Sequence, residues 1–444
     1  MNFDEYQAAV QGLAEPDDFS HALIPLLGVG AHAGALLGGQ QRYLRDSLLA
    51  GTSRTLVGRH LGEVMRWAAL LASHYGLSLS AVVLDNLHKV DERARTLGLS
   101  RLPPFEPADG ADITGYQKLA KHTDQDSAVG LDPLALSVPM LGLAGEAGSL
   151  LVAHKKQYRG DAPMDDFKGF IGVELGDLLW YASAVATHAD LLLQDIADTD
   201  LRRARESKVG RRHAIESEGL PVLDQDFPET ERFPRRMLLR FQETVRDGRP
   251  LVTMTLVAAE PNAFPDGPID REDGKVQGFS VGAPLGDQVT DNSKENDDYR
   301  YHDAVHFGFL AVMGWSPNLR SLLHIKRKSI PEVDENEDGA RAIFAEEGLA
   351  ALLAKRAAES QGYANPRLVS EDLVEIMTTV LEDLEVSAMP RWLWREAISR
   401  GFSVMRELAE GKGGYVIADL DKRSLVYTKI PPRMLGTTEI RGII

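Results

Sequence analysis

Three acidic side chains in the first half of the chain have types and spacing that could do chemistry. Glu174 and Asp177 stand three residues apart, and Glu146 lies on the preceding apolar segment. On a helix an i, i+3 pair shares one face. Leu175, Leu178 and Trp180 surround the pair, which points it toward packing rather than solvent. Carboxylates on the inward side of a helix bundle are costly unless they are paired or hold a cation. Hard oxygen donors of this kind suit Mg²⁺, with Mn²⁺ as the alternative, and such an ion also takes substrate phosphate oxygens. Lys155, Lys156 and Arg159 follow Glu146 on its own segment and are candidates to meet phosphate charge. The bland reading of the same residues is a solvated helix face carrying ordinary charged pairs.

A second constellation lies in DDYRYHDAVHFGFLAVMGWSP (297–317). His302 and His306 are i, i+4, with Asp303 between them, and Glu346 and Glu347 follow in AEEGL. Two imidazoles with acids nearby permit a second metal or phosphate site. The competing reading is a salt-bridge network in which the basic HIKRKS run pairs with the acidic DENED run.

The elements that must position the first set come from a duplication. Residues 27–92 and 141–206 align at a constant offset of 114, without gaps, with 17 identities in 66 positions. Chance gives about four or five. LGVGAHAGALL faces LGLAGEAGSLL, and RHLGEVMRWAALLASH faces VELGDLLWYASAVATH. A Tyr-Gln pair precedes each copy, Tyr6-Gln7 and Tyr116-Gln117. Leucines recurring at three and four residues predict helices over 140–158 and 171–189, with a third over about 191–206. Gly172 and Gly176 allow close helix approach. RGDAPMDDFKG (159–169) reads as a loop. Each copy is thus a four-helix unit if its Tyr-Gln segment is helical, and the two units would stack about a pseudo-twofold. Residues 207–235 read as a polar, proline-containing linker. Beyond it, LVTMTLV (251–257) is strand-like and YVIADLDKRSLVYT (415–428) reads as a hairpin turning at Asp421-Lys422. Helical stretches are expected at 299–314, 339–359 and 371–386, and acidic loops at DGPIDREDGKVQG and DNSKENDD.

Composition bounds the function. The 444 residues suggest about two to four domains. Lys and Arg number 49 against 66 Asp and Glu, a net charge of −17, which disfavours stable nucleic-acid binding. Cysteine is absent, so disulfides, thiolate nucleophiles, Cys-zinc sites and iron–sulfur clusters are excluded together. The start MNFDEYQAAV lacks a basic-then-apolar signal pattern. The apolar stretches, broken by Gly, Ser, His or charges, are expected to fall short of a membrane span. A soluble cytoplasmic protein with no membrane partner is the expectation.

The segment 139–206, and more weakly 1–206, resembles the MazG-like all-α nucleoside triphosphate pyrophosphohydrolases, a superfamily that includes the dimeric dUTPases. Its pattern is a Glu-Glu-x-x-Glu helix, then Glu-x-x-Asp, then Asn-Leu-x-Lys. GEAGSLL (145–151) stands for the first element, ELGDLLWY (174–181) matches the second, and DLRR (200–203) stands for the third. Gly145 and Ser149 replace two family acids, Asp200 replaces the Asn, and Arg203 the Lys. The first copy departs oppositely. His32, His60 and Glu63 take the places of Glu146, Glu174 and Asp177, whereas Asn86-Leu87-His88-Lys89 keeps the third motif.

The resemblance implies a mainly α fold, tandem units at 1–100 and 108–206 forming a pseudodimeric bundle. After the linker, an α+β domain with a small antiparallel sheet, 236–444, is similar to the C-terminal extension of some MazG-like proteins. It implies a composite site, with metal on Glu146, Glu174 and Asp177 and substrate contacts from Asn86 and Lys89, and from Asp200 and Arg203 by position. The implied reaction converts a nucleoside triphosphate to monophosphate and pyrophosphate. The alternatives are a first copy that is only a structural partner, or one binding a transition metal through His32, His60 and Glu63. At the level of function they are a nucleotide sensor without turnover, or a phosphohydrolase centred on His302 and His306. The sequence leaves homo-oligomerisation open.

Overall fold

The computed structural model describes residues 1–14, 17–46, 50–99, 101–124, 133–160, 166–207, 219–291 and 297–432. The expected loop at 159–169, linker at 207–235 and acidic loop at 291–298 lie partly outside the described residues. The chain divides into two compact units, Met1–Arg205 and Glu206–Ile444.

The first unit is helical, and the helices fall in the same order twice. Phe3–Leu13 (α1), Leu23–Asp46 (α2), Ala50–His74 (α3) and Leu79–Leu97 (α4) make the first copy. Ile113–Thr123 (α5), Pro133–Arg159 (α6), Phe167–His188 (α7) and Leu193–Ser207 (α8) make the second. Local chemistry sets several boundaries. Asn2 and Glu5 form a capping box at α1, Asp112 caps α5, and Ser78 caps α4, which ends at left-handed Gly98. Both Tyr-Gln segments are helical and make equivalent bonds. Gln7 Nε2 donates to Ser73 Oγ (3.0 Å) and the Leu77 carbonyl (2.9 Å), and Gln7 Oε1 accepts from Leu79 N. Gln117 repeats this with Thr187 Oγ1 (3.2 Å), the Leu191 carbonyl (2.9 Å) and Leu193 N. Each partner stands 114 residues from its counterpart, so the duplication extends to side-chain hydrogen bonds.

The copies share one core. Phe3, Tyr6, Leu61, Val64 and Leu87 are buried in the same cluster as Tyr116, Leu143, Leu175 and Leu178. Each such fully buried side chain is worth about 1.5–3 kcal/mol, which neither copy would keep if separated. One expectation needs correction. By length and composition, Leu23–Arg45 and Ala135–Arg159 are apolar enough to cross a membrane, because Gly and Ser lower the mean hydropathy only slightly and Ala adds to it. Each buries one stripe in this core, Leu26, Val29, Ala33 and Leu36 on α2, and Leu136, Met140, Leu143 and Leu150 on α6.

The second unit is α+β. Arg236–Arg246 (β1), Arg249–Glu260 (β2), Val289–Thr290 (β3), Gly413–Asp419 (β4) and Ser424–Thr428 (β5) form one antiparallel sheet in the order β3-β2-β1-β4-β5. The strand read at 251–257 lies within β2, and the hairpin read at 415–428 is β4–β5. The helices Asp303–Met313 (α9), Ala340–Arg356 (α10) and Arg391–Gly411 (α11) pack into one core with Leu239, Phe241 and Val416 of the strands. Helix α9 is buried along its whole length. It crosses α11 at Gly308 and Gly401, where a Cβ on Gly308 would stand 2.6 Å from the Ala397 carbonyl. Helix α11 was not among the expected stretches, although Leu393, Trp394, Ala397, Ile398, Phe402, Met405 and Leu408 recur at helical spacing.

The described part of the expected linker, 219–235, belongs to this unit. Phe233 is in its core, and Asp224 and Glu231 are buried. Arg320 explains why so polar a segment is held: it donates to Asp224 Oδ2 (3.3 Å) and to the Glu231 carbonyl (2.7 Å).

Candidate active site

The acid cluster is assembled from both copies. Glu146 comes from α6, Glu174 and Asp177 from α7, Asn86 and Lys89 from α4, and Tyr116 from α5. Gly176 permits the approach of α4, since a Cβ there would lie 2.9 Å from Asn86 Cβ and 3.3 Å from the Val82 carbonyl. Asn86 is buried and its Nδ2 donates to Asp177 Oδ1 at 2.7 Å. The Lys89 ammonium pairs with Asp177 Oδ2. Tyr116 Oη donates to Asn86 Oδ1 at 3.3 Å, which orients the amide. The Asn-Leu-x-Lys segment of the first copy therefore faces the acids of the second.

Burial pushes the Glu146 carboxyl up to about 7, helped by its hydrogen bond to Glu174 and by repulsion from Asp177 and Glu174, with Lys89 opposing. Glu174 Oε2 is buried and has no hydrogen-bond partner. An orphaned carboxylate oxygen beside a second carboxyl held near neutrality is what a hard cation would satisfy, so the donor chemistry fits Mg²⁺. The three carboxylates are more open than a closed ligand cage. Among the described residues, only His302, His306 and Glu347 bring three ligand atoms within 4.8 Å of one another. The cluster opens on a cleft of about 860 Å³ lined by Lys89, Arg93, Glu146, Asp177, Trp180 and Tyr181.

Arg93, Tyr116, Trp180 and Tyr181 were not singled out from sequence as site residues. Signals existed: Arg93 is one helical turn beyond Lys89, the two aromatics continue the ELGDLLWY motif, and Tyr116 is the repeated tyrosine. Lys155 and Lys156 are the reverse case. They are exposed, nine and ten residues beyond Glu146 on the continuous helix α6. At 1.5 Å per residue that is about 13–15 Å along the axis, and neither lines the cleft.

Asp200 and Arg203 do not join the acid cluster either. Asp200 is buried in the twin of that cluster, where Arg66 Nε lies 3.2 Å from its Oδ2. Arg66 also pairs with Glu63, and Arg203 acts electrostatically on Asp200. Burial pushes the Asp200 carboxyl up to about 6, with Arg66 opposing and Glu63 adding to the rise. His32 and His60 face each other Nδ1 to Nδ1 at 3.2 Å, so one donates to the other, and His32 Nε2 lies 3.6 Å from Glu63. The guanidinium of Arg66 thus stands between two acids of the twin, and among the described residues His32, His60 and Glu63 do not bring one ligand atom each within 4.8 Å of one another.

The C-terminal constellation is drawn together over forty residues of chain. Tyr299, Arg300 and Tyr301 anchor its approach, with Arg300 Nε and Tyr301 Oη each 2.9 Å from Glu243 Oε2 on β1. His306, fully buried on α9, places Nδ1 2.8 Å from Glu346 Oε1. Glu346 also accepts from Ser316 Oγ (2.7 Å) and Asn318 N (2.8 Å). Glu347 lies 3.5 Å from His306 Nε2 and 3.7 Å from His302 Nε2. Burial disfavours charge on His306, but the Glu346 and Glu347 carboxylates outweigh it and push its value up to about 10. Asp303 is buried in the first turn of α9 and is not one of the three converging groups. Of the basic-to-acidic network expected from sequence, Arg327 and Asp338 do pair, with Arg327 Nη2 2.7 Å from Asp338 Oδ1 and both buried.

No curated protein and no solved structure matches the chain. A family model does: residues 269–431 match the MazG C-terminal domain. The chain therefore carries a MazG-type C-terminal extension.

Proposed function

We propose that this protein is a Mg²⁺-dependent nucleotide pyrophosphohydrolase whose site is the acid cluster of the helical unit. The observation that carries the reading is the buried, unpartnered Glu174 Oε2 beside Glu146 and Asp177, which themselves line a cleft together with Lys89 and Arg93. The MazG-type extension supports the same class of chemistry. The cation, held by Glu174 and Asp177 with Glu146 at its edge, would neutralise phosphate oxygens and make water a better nucleophile.

The residues of the chain supply the rest. Lys89 and Arg93 meet the triphosphate charge, and Trp180 and Tyr181 offer aromatic faces to the base. Asn86 and Tyr116 hold the Asp177 carboxylate in place. Glu146, with a proton affinity near neutrality, accepts the proton of the attacking water. Water oxygen bonds to the α-phosphorus, the bond from that phosphorus to the α,β-bridging oxygen breaks, and the products are monophosphate and pyrophosphate.

The test is incubation with Mg²⁺ or Mn²⁺ and a panel of ribo-, deoxy- and modified nucleoside triphosphates, with both products quantified. Equimolar monophosphate and pyrophosphate are expected, with turnover lost in Glu174→Gln and reduced about 10²–10⁴-fold in Glu146→Gln. Tight nucleotide binding without products would replace the enzyme by a sensor. Turnover unchanged by Glu174→Gln but lost in His302→Ala would move the chemistry to the C-terminal unit.

A further inference from the structure

We infer that His302, His306 and Glu347 form a binding site for a divalent d-block ion, zinc by its donor set. In both imidazoles the ring nitrogen facing away from the site is already committed. His302 Nδ1 lies 3.0 Å from the Tyr299 carbonyl and His306 Nδ1 lies 2.8 Å from Glu346 Oε1. A carbonyl and a carboxylate only accept, so both Nδ1 atoms donate. That leaves the two Nε2 atoms turned on Glu347. A cation that displaces the proton held on His306 meets three acceptor atoms there, and His306 Nε2 is fully buried without a hydrogen-bond partner.

The distances favour a shared ion over two direct hydrogen bonds. Separations of 3.5 and 3.7 Å from Glu347 oxygens are long for N–H···O contacts, which centre near 2.9 Å. The imidazoles face different oxygens of Glu347, His306 Nε2 facing Oε1 and His302 Nε2 facing Oε2, and one ligand atom from each of the three groups lies within 4.8 Å of the others, so a single ion can draw them in. The surroundings hold each donor in orientation. The Tyr299 ring stacks on His302 at 4.4 Å and 4°, Ser316 and Asn318 fix Glu346 behind His306, and Asn318 Nδ2 donates to Glu347 Oε1 at 2.6 Å. Metal-binding imidazoles characteristically carry such a partner on the far nitrogen. Two nitrogens and one oxygen suit zinc and its neighbours rather than Mg²⁺, which prefers oxygen alone. Three protein donors leave a fourth position open to water or an exogenous ligand.

The experiment uses the full chain, stripped with a chelator, re-equilibrated with Zn²⁺, desalted and assayed for bound metal. One zinc per chain is expected in the wild type and in Glu174→Gln, which separates this site from the acid cluster. His302→Ala and Glu347→Gln, both at partly exposed positions, should lose it or bind at least about 100-fold more weakly, with unchanged circular dichroism. Co²⁺ in place of zinc should give visible ligand-field bands of a nitrogen-coordinated ion in the wild type. That measurement decides the matter even if a variant fails to fold. Absence of retained zinc and of those bands, zinc equal in wild type and both variants, or zinc lost only in Glu174→Gln, each overturns the assignment; the first is what a purely proton-bridged network would give.

Discussion

Replacing Glu146 by Gln should stabilise the metal-free protein while sharply reducing its turnover, and the size of the stabilisation follows from the geometry. The carboxyl is raised from 4.5 to about 7 by burial and by its acidic neighbours. A carboxyl whose value is higher folded than unfolded binds its proton more tightly in the native state. Stability is then highest below the unfolded value, falls as pH climbs from about 4.5 to about 7, and is level above that. For a fully buried group the loss would be about 3 kcal/mol, at about 1.4 kcal/mol per pH unit. Glu146 is partly open to the cleft, so screening by water and salt reduces this to about 1–2 kcal/mol. Gln does not ionise and escapes the loss. In chelator near pH 8, Glu146→Gln should therefore be the more stable protein by about 1–2 kcal/mol, the gap shrinking to about a quarter of that near pH 5. Urea titrations of the full chain, followed by far-ultraviolet circular dichroism at the two pH values, measure it. Added Mg²⁺ should narrow the gap near pH 8, because a cation relieves the same repulsion in the wild type. A gap of equal size at both pH values, or a variant less stable than wild type near pH 8, would refute the reasoning.

Other perturbations reach other parts of the molecule. Lys89→Met removes a cation from the cleft and should raise KM for a triphosphate about 10-fold, with kcat changed less, in steady-state kinetics. Gly176→Ala inserts a methyl 2.9 Å from Asn86 Cβ and should cost about 1–3 kcal/mol in urea titrations. Gly148→Ala, with nothing within 4 Å, should be neutral or stabilising by up to about 1 kcal/mol. Arg66→Met strands buried Asp200 beside Glu63 and should cost about 3–5 kcal/mol near pH 8 and less near pH 5, where Asp200 takes up a proton. Its turnover per folded molecule should be unchanged, because Arg66 does not line the cleft. In the second unit, Arg327→Met leaves buried Asp338 with the longer ion pair to Arg320 Nε at 3.6 Å, and a loss of about 2–4 kcal/mol is expected in thermal or urea unfolding.

Much of the architecture was legible in the chain because its cues are local. The leucine spacing of 171–189 marks α7, the β-branched run at 251–257 lies in β2, and the gapless 114-residue offset relates the partners to which Gln7 and Gln117 bond. Glu146, Glu174 and Asp177 could be singled out because acids among leucines violate the burial rule that the helix pattern otherwise obeys. Pairing between distant residues was not legible. The resemblance brought Asn86 and Lys89 to the acids of the second copy, but nothing in the order of residues says that both would bond to the Asp177 carboxylate itself, or that Asp200 would meet Arg66 instead of joining that site.

Periodicity and identity thus determined which segments are helices or strands, that the first unit is a duplication, and which acids are out of place in an apolar setting. Tertiary packing alone decided that an arginine sits between two acids of one cluster and not the other, and that the polar stretch at 219–235 is clamped by Arg320. It also decided that Glu347 faces two imidazoles while Glu346 backs one of them. The physical reason is range. Backbone preference and side-chain alternation act over a few residues, whereas a buried charge is satisfied by whichever partner the close approach of two elements brings within about 3 Å.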